Sequence, residues 1–312
     1  MHIQWYPGHM HKAGKQIKAL IPKVHLVIEL LDARIPYSSE NPFLNQLRGS
    51  KPVLKIFNKS DLADPENIQL WQSYYQSERN IETLALSQSQ ATEVKKITQL
   101  CLNMFPARAA KNQETYALIM GIPNVGKSTL INTLAGRPVA KTGNEPAVTK
   151  AQQRIALDKG LVLFDTPGML WPNIENQHSG YRLAITGNIR DTAIDHADIA
   201  LYALKYLRVN YSQRLSQRYQ LDDIQYTQPG HEEVELLEHI GRLRGCLKSK
   251  SLVDLDKAGK MVINDIRGGA LGRLSFETPQ MMEKEHLEVE ARREQKRIKD
   301  EARKQKFKKR KR

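Results

Sequence analysis

The segment Gly121–Ser128 reads GIPNVGKS and matches the pattern GxxxxGK[ST]. An apolar run, Tyr116–Met120, precedes it, and a helix-like stretch, Lys127–Leu134, follows it. Strand, glycine-rich loop and helix in this order form a phosphate-binding loop, because backbone N–H groups and a helix N-terminus carry uncompensated positive partial charge. The pattern therefore predicts phosphate contacts from Asn124, Val125, Gly126, Lys127, Ser128 and Thr129.

Two motifs supply the charged groups for this chemistry. Lys127 is expected to neutralise the β- and γ-phosphates, and the Ser128 hydroxyl to bind Mg²⁺, which takes hard oxygen ligands. Residues 165–168 read DTPG after a second apolar run, Leu161–Phe164, so Asp165 is expected to serve the Mg²⁺ shell. Gly168 leaves room for its backbone N–H to approach the γ-phosphate. Ordinary glycine turns are the alternative interpretation of both motifs.

A third motif, Asn58–Asp61, reads NKSD and also follows an apolar run. The carboxylate of Asp61 can accept hydrogen bonds from N1–H and the 2-amino group of guanine, a donor pair that adenine lacks. We expect Asn58 to contact the base or to tie this loop to the phosphate-binding loop, and the Lys59 stem to lie over the base. GTP and GDP are therefore the predicted ligands; a P-loop kinase or ATPase is the rival enzyme.

These motifs must be positioned by elements that alternate between strand and helix. Apolar runs at Val24–Leu31, Val53–Phe57 and Thr83–Leu86 precede the runs already named, and helical patterns separate them, which predicts a mostly parallel α/β sheet. Beyond residue 172 the pattern becomes helical, apart from short runs at Met261–Ile266 and Arg273–Phe276 that suggest strands. We divide the chain into a nucleotide-binding domain (1–175), a smaller mostly helical domain (176–280), and a basic tail (281–312), disordered or singly helical.

Charge and cysteine content narrow the class of protein. The 312 residues contain 48 Lys and Arg against 34 Asp and Glu, a net charge of +14, which favours a polyanionic partner such as RNA. Residues 283–312 contribute +7 of this charge. Two distant cysteines, Cys101 and Cys246, exclude a disulfide scaffold and a CxxC zinc site. We expect a cytoplasmic protein, since neither a signal peptide nor a membrane-spanning run is present.

The order of the motifs is distinctive, because most GTPases place the NKxD motif last in the chain. Here NKSD comes before GIPNVGKS and DTPG, so the chain resembles a circularly permuted GTPase. The segments IQWYPGHM near the start, DARIPYSSENP at 32–42, DTPGMLWP at 165–172 and LSFETP at 274–279 closely resemble the bacterial ribosome biogenesis GTPase A family. The resemblance covers about 280 residues.

The resemblance implies further site residues. It makes Thr149, in the first switch loop, a sensor of Mg²⁺ and the γ-phosphate, and Asn124 a candidate K⁺ ligand. It places Ser87, Gln88 and Ser89 beside the base. Met169 follows DTPG and cannot orient water, so the resemblance points to His9 as the water-positioning group. A surface histidine is the alternative for His9, and His11 is the other candidate.

The implied function is a GTPase that assists assembly of the large ribosomal subunit as a monomer, with rRNA and ribosomal proteins as partners and no membrane. An RNA-binding scaffold with vestigial GTPase activity is the alternative. Lys12, Lys15 and Lys18, and the cluster Arg242, Arg244, Lys248 and Lys250, either contact RNA or are solvated. Asp32 and Arg34 either brace the nucleotide site or simply pair. We hypothesise that Gly168 transmits γ-phosphate sensing to residues 176–280.

Overall fold

The computed structural model describes residues 3, 5–87, 91–140, 153–157, 160–221 and 230–310, with the backbone alone at residues 9, 91, 250 and 304–310. Within these residues six strands form one sheet in the order β3-β2-β1-β4-β6-β5. Neighbouring strands are parallel except β5 and β6. The strands are β1 (Leu26–Asp32), β2 (Val53–Asn58), β3 (Ile81–Leu86), β4 (Thr115–Gly121), β5 (Gln153–Ala156) and β6 (Leu161–Asp165). The prediction of a mostly parallel α/β sheet is confirmed.

Burial on both faces explains why the strands read as unbroken apolar runs. All residues of β1 and β2 are buried, as expected when helices cover both faces of a parallel sheet. The covering helices are α1 (Gly8–Leu20), α2 (Pro36–Ser39), α3 (Pro42–Arg48), α4 (Pro65–Gln76), α5 (Ala91–Asn103), α6 (Pro106–Ala110) and α7 (Lys127–Ala135). Strand β1 begins two residues later than its apolar run, because Ile21–Lys23 forms a 3₁₀ turn.

The remaining described elements are helices. They are α8 (Gln177–Ile185), α9 (His196–Asn210), α10 (Ser212–Tyr219), α11 (Glu232–Leu243), α12 (Leu255–Arg267) and α13 (Pro279–Arg310). The expectation of a strand at Met261–Ile266 is wrong, since this run lies inside α12. The Asp254 side chain caps that helix by accepting from the Lys257 N–H, and the buried positions recur at helical spacing.

The second expected strand, at Arg273–Phe276, is also wrong. This segment is extended but makes single hydrogen bonds to loops of the nucleotide-binding part. The Leu274 N–H donates to the Leu62 carbonyl at 2.8 Å, and the Phe276 N–H donates to the Arg34 carbonyl at 2.9 Å. A run of four residues cannot distinguish a strand from a linker, because the buried Leu274 and Phe276 give both the same apolar pattern.

Helix α13 contains both an anchored part and an exposed part. Met282, Glu285 and Val289 near its start are buried at helical spacing, while the described side chains from Glu290 to Arg303 are exposed. Glu285 forms a salt bridge with the buried Arg182 of α8 at 2.5 Å. The first turns of α13 therefore pack on the body of the protein, and the exposed Arg293 that follows them forms an ion pair with Glu175. Among the described helices, none has the length and apolar character needed to cross a bilayer.

Candidate functional site

The three motifs meet at one edge of the sheet, where the parallel strands end. The register pairs Asp32 with Asn58 at the ends of β1 and β2, and Leu30 with Gly121 between β1 and β4. The DTPG segment begins at Asp165, the last residue of the neighbouring strand β6. Ligands of open α/β sheets bind outside the carboxyl ends of the strands. The sheet therefore brings together motifs that are far apart in the chain.

The phosphate-binding loop has the backbone geometry of an anion cradle. Asn124 and Gly126 adopt left-handed conformations with φ of 59° and 92°, and α7 begins at Lys127 directly after them. Alternating left- and right-handed residues turn successive N–H groups toward one concavity, next to the positive end of α7. Gly121 is required by close packing, because a Cβ atom there would lie 2.8 Å from the Leu30 carbonyl oxygen.

The two buried charges of the site face each other. Lys127 Nζ lies 3.4 Å from Asp165 Oδ1, and both side chains are nearly inaccessible to solvent. Burial lowers the pKa of Lys127 and raises that of Asp165, while their mutual attraction opposes both shifts. Asp165 Oδ2 has no hydrogen-bond partner among the described residues. This geometry leaves a buried carboxylate oxygen available to a cation or its hydration shell.

Asn58 and Lys59 connect the NKSD loop to its neighbours. Asn58 Nδ2 donates to the Val125 carbonyl oxygen at 2.5 Å, so the second of the two roles expected for this residue is the one that the structure contains. Lys59 has φ of 60° and its Nζ lies 2.9 Å from Asp32 Oδ2. Asp61 is exposed on the following turn, where a base can reach it.

The side chains of Asp32 and Arg34 form the expected ion pair, which also braces the site. Arg34 donates to Asp32 from Nε at 2.9 Å and from Nη2 at 2.7 Å. Although burial opposes it, the attraction of Arg34 and Lys59 holds the pKa of Asp32 far below its usual range. The two alternatives are therefore one arrangement, because the same carboxylate holds Lys59 of the NKSD loop.

The DTPG segment lies directly against the phosphate-binding loop. A Cβ atom on Gly168 would come within 3.0 Å of the backbone of Pro123, and the Met169 N–H donates to the Gly121 carbonyl at 3.2 Å. The sequence predicts that Gly168 leaves room for a phosphate to approach. The structure adds a second reason for glycine, because a side chain there would collide with the neighbouring loop.

The helix that contains His9 adjoins this segment. The buried Met10 of α1 accepts a hydrogen bond at its sulfur from the Leu170 N–H, at 3.4 Å. His9 lies in the first turn of α1, described by its backbone, and His11 is exposed. Thr149 lies outside the described residues, as do Gln88 and Ser89, whereas Ser87 is buried after β3.

Sequence reasoning missed one neighbour of the site, the end of α8. Asn124 Nδ2 donates to the Gly187 carbonyl oxygen at 2.8 Å. The signal was a glycine followed by asparagine after a helical pattern, which is typical of a helix C-terminus. Nothing in that pattern indicates which loop the helix end contacts. Within the described residues no cluster of three or more His, Cys, Asp or Glu side chains could hold a metal ion.

Comparison with known proteins assigns the family. The family described as RsgA GTPase matches residues 10–175, and the family described as 50S ribosome-binding GTPase matches residues 116–236. Proteins named ribosome biogenesis GTPase A are similar along most of the chain. The relative from Bacillus cereus is 41% identical over 297 residues (93% of this chain, 98% of the relative), and that from Priestia megaterium is 43% identical over 287 residues (89% and 98%).

A solved structure supports the same assignment. The crystal structure of GNP-bound YlqF from Thermotoga maritima is 26% identical, with a TM-score of 0.63, and the match covers 86% of this chain and 99% of that one. With the three nucleotide motifs joined at one edge of the sheet in permuted order, the chain belongs to the ribosome biogenesis GTPase A family and is a guanine-nucleotide-binding GTPase.

Proposed function

We propose that this GTPase assists assembly of the large ribosomal subunit in the cytoplasm and acts as a monomer. The GTP-bound form binds a precursor of that subunit through rRNA and ribosomal proteins, and hydrolysis releases it. Residues 1–175 form the permuted GTPase domain, residues 176–280 a helical RNA-binding domain, and residues 281–312 a basic arm. The names of the relatives and the +14 net charge support a polyanionic partner of this kind.

The observation that carries the proposal is the position of a lysine-rich helix face beside the DTPG segment. Lys12, Lys15 and Lys18 are all exposed and recur every three residues along α1. The opposite face of α1 is buried and contacts Leu170, two residues after Gly168. A polyanion bound to these lysines therefore acts on the DTPG segment through α1, whose buried face contacts Leu170.

The residues present fit Mg²⁺, because Asp165 Oδ2 is buried and lacks a described partner and Ser128 supplies a hydroxyl. We propose that Ser128, Asp165 and Thr149 hold it, and that Asn124 is a ligand of K⁺. Bound Mg²⁺ would stabilise the negative charge of the phosphates. Lys127 binds the β- and γ-phosphates, and His9 orients the attacking water. The water oxygen bonds to the γ-phosphorus as the bond to the GDP oxygen breaks, giving GDP and phosphate.

The test measures GTP and ATP hydrolysis with and without purified large subunits, in K⁺ and in Na⁺ buffer. We expect turnover of GTP alone, stimulated by the subunits, and a loss of that stimulation in the His9→Ala variant. Absence of stimulation would contradict the proposed partner. Binding of large subunits with negligible GTP turnover would instead favour the RNA-binding scaffold.

A charge-neutralised variant tests the role of α1. In the triple variant Lys12→Gln, Lys15→Gln, Lys18→Gln, the dependence of subunit binding on salt should weaken by about 0.7–0.9 in log–log slope for each phosphate contact removed. The matched control neutralises three exposed lysines outside α1: Lys95 and Lys96 of α5, and Lys111 directly after α6. Equal loss in both variants would show that net charge, rather than this face, determines binding.

A further inference from the structure

The C-terminal turn of α8 contacts several parts of the protein. It ends in a Schellman motif, in which Gly187 has φ of 80° and its N–H donates to the Ala184 carbonyl at 3.2 Å. The Asn188 N–H completes the motif by donating to the Leu183 carbonyl at 2.9 Å. This turn fixes the direction of the carbonyl groups of residues 184–187, and each of them also accepts a hydrogen bond from a side chain outside α8.

Arg267, the last residue of α12, donates to two of these carbonyls. Its Nε lies 3.0 Å from the Ile185 oxygen, and its Nη2 lies 2.8 Å from the Ala184 oxygen. The same guanidinium forms a bidentate ion pair with Asp191, at 2.9 and 3.1 Å. A planar, permanently charged group with several donors suits such a junction. Arg267 therefore joins α12, α8 and the loop after α8.

The last carbonyl of the turn reaches the nucleotide site. The Gly187 oxygen accepts from Asn124 Nδ2 at 2.8 Å, on one side of the phosphate-binding loop. On the other side, the Val125 oxygen accepts from Asn58 Nδ2 at 2.5 Å. The loop is thus held between the NKSD segment and the end of α8. The curvature of the loop turns its backbone N–H groups toward one concavity. If this curvature exists before phosphate binds, the binding free energy does not include the cost of ordering the loop, and the affinity is higher.

Other contacts restrain α8 along its length. Ile3 packs on Gly180, where an added Cβ atom would lie 3.2 Å from it. Arg182 is buried and pairs with Glu277 at 3.2 Å and with Glu285 of α13. These contacts, together with those of Arg267, fix α8 against the N-terminal segment, α12 and α13.

We propose that Arg267 is a positioning residue for nucleotide binding. It acts through the end of α8: its two carbonyl contacts hold the Gly187 turn, and that turn holds Asn124 and the curvature of the phosphate-binding loop. The hydrogen bonds of the Arg267 guanidinium go to α8 carbonyls and to Asp191, and not to the side chains of the nucleotide motifs. The inference depends on the guanine-nucleotide site and not on the proposed ribosomal partner, so it is tested on the protein alone.

The measurement is the dissociation constant of fluorescent N-methylanthraniloyl-GDP for the full-length protein. Couplings carried through packed networks are typically about 0.5–2 kcal/mol, so Arg267→Gln should raise the dissociation constant about 2- to 30-fold. Two controls separate the causes. Asp191→Asn removes the ion pair but leaves the carbonyl contacts, and Arg218→Gln removes a similar bidentate pair with Asp265 away from α8. Both should stay within about twofold of the wild type, as expected for removal of partly exposed ion pairs.

A double-mutant cycle shows whether Arg267 acts through Asn124. Asn124→Ala should weaken binding by itself, and adding Arg267→Gln to it should produce no further loss. If the two losses multiply, or if either control weakens binding as much as Arg267→Gln, the proposal is wrong. Should Arg267→Gln fail to fold, Arg267→Lys keeps the charge but loses the planar fork, and the same cycle is measured with it.

Discussion

A buried charge cluster supports the strand that leads to the NKSD loop, and its disruption gives the sharpest test of the fold. Lys55 of β2 lies opposite Glu29 of β1, and its Nζ is 2.8 Å from Glu29 Oε2 and 2.8 Å from Glu40 Oε1. Lys55 and Glu29 are almost completely buried. The Tyr75 hydroxyl donates to Glu40 at 2.5 Å. The single positive charge of Lys55 thus balances the negative charges of Glu29 and Glu40.

Lys55→Met removes the cation and leaves two carboxylates facing each other in the core. Removing one partner of a buried ion pair typically destabilises by about 3–5 kcal/mol, a large part of the roughly 5–15 kcal/mol that stabilises a domain. Glu29→Gln is the matched control, because it leaves the pair between Lys55 and Glu40. Burial already raises the pKa of Glu29, and its Oε1 has no partner among the described residues, so we expect a loss below about 1.5 kcal/mol.

The pH dependence distinguishes charge from packing. Without Lys55, burial and like-charge repulsion raise the pKa of one carboxyl further in the folded state than in the unfolded chain. That carboxyl then takes up a proton on folding, so the deficit of Lys55→Met is present at pH 7.5 and shrinks as the pH falls toward 5.

Urea unfolding without nucleotide, followed by tryptophan fluorescence, to which the buried Trp71 beside Tyr75 contributes, measures these differences at both pH values. The nucleotide is omitted because its binding would add stability of its own. A deficit for Lys55→Met below about 1 kcal/mol at pH 7.5, far under the usual range for a broken buried pair, would refute the reasoning. An equal deficit at the two pH values would refute it as well.

Three further outcomes are expected. Asp61→Asn should weaken GTP binding about 100-fold or more and favour xanthosine triphosphate, whose ring offers one donor and one acceptor to an amide; competition between the two nucleotides measures this. Deleting residues 303–312 removes eight positive charges and should lower the salt slope of RNA binding by about 0.7–0.9 per lost phosphate contact; an unchanged slope would assign the arm to solvation. Replacing GDP with a non-hydrolysable GTP analogue should change hydrogen exchange in α8, and unchanged exchange would exclude transmission from Gly168.

The sheet and the local motifs were readable from the sequence because their signals are contiguous. The phosphate-binding loop combines a buried strand, special backbone conformations and a helix start within a few residues, and each leaves its own residue pattern. The pair between Asp32 and Arg34 is likewise local. The contact between Lys59 and Asp32 could not be predicted from the sequence, because it depends on the parallel register of β1 and β2.

The two predicted strands after residue 260 are wrong because a short stretch of sequence does not show which distant segments it packs against. Met261–Ile266 alternates over too few residues to exclude a strand, and its helical state follows from burial against α9. Gly259, in α12, permits that contact, since a Cβ atom there would lie 2.5 Å from the His196 carbonyl oxygen. The role that we propose for Arg267 could not be predicted from the sequence either, since a basic residue in the last turn of a helix ordinarily stabilises its own helix.

The permuted order of the motifs leaves the chemistry of the site unchanged but alters what is attached to it. Loop position at the sheet edge is set by strand order in space, so NKSD can precede the phosphate-binding loop without loss. The segment after DTPG, however, now leads into α8 instead of returning to the sheet. Helix α8 therefore follows the DTPG segment at its start and holds Asn124 of the phosphate-binding loop at its end. Both loops are thus joined to one helix, which α9, α12 and the start of α13 also contact.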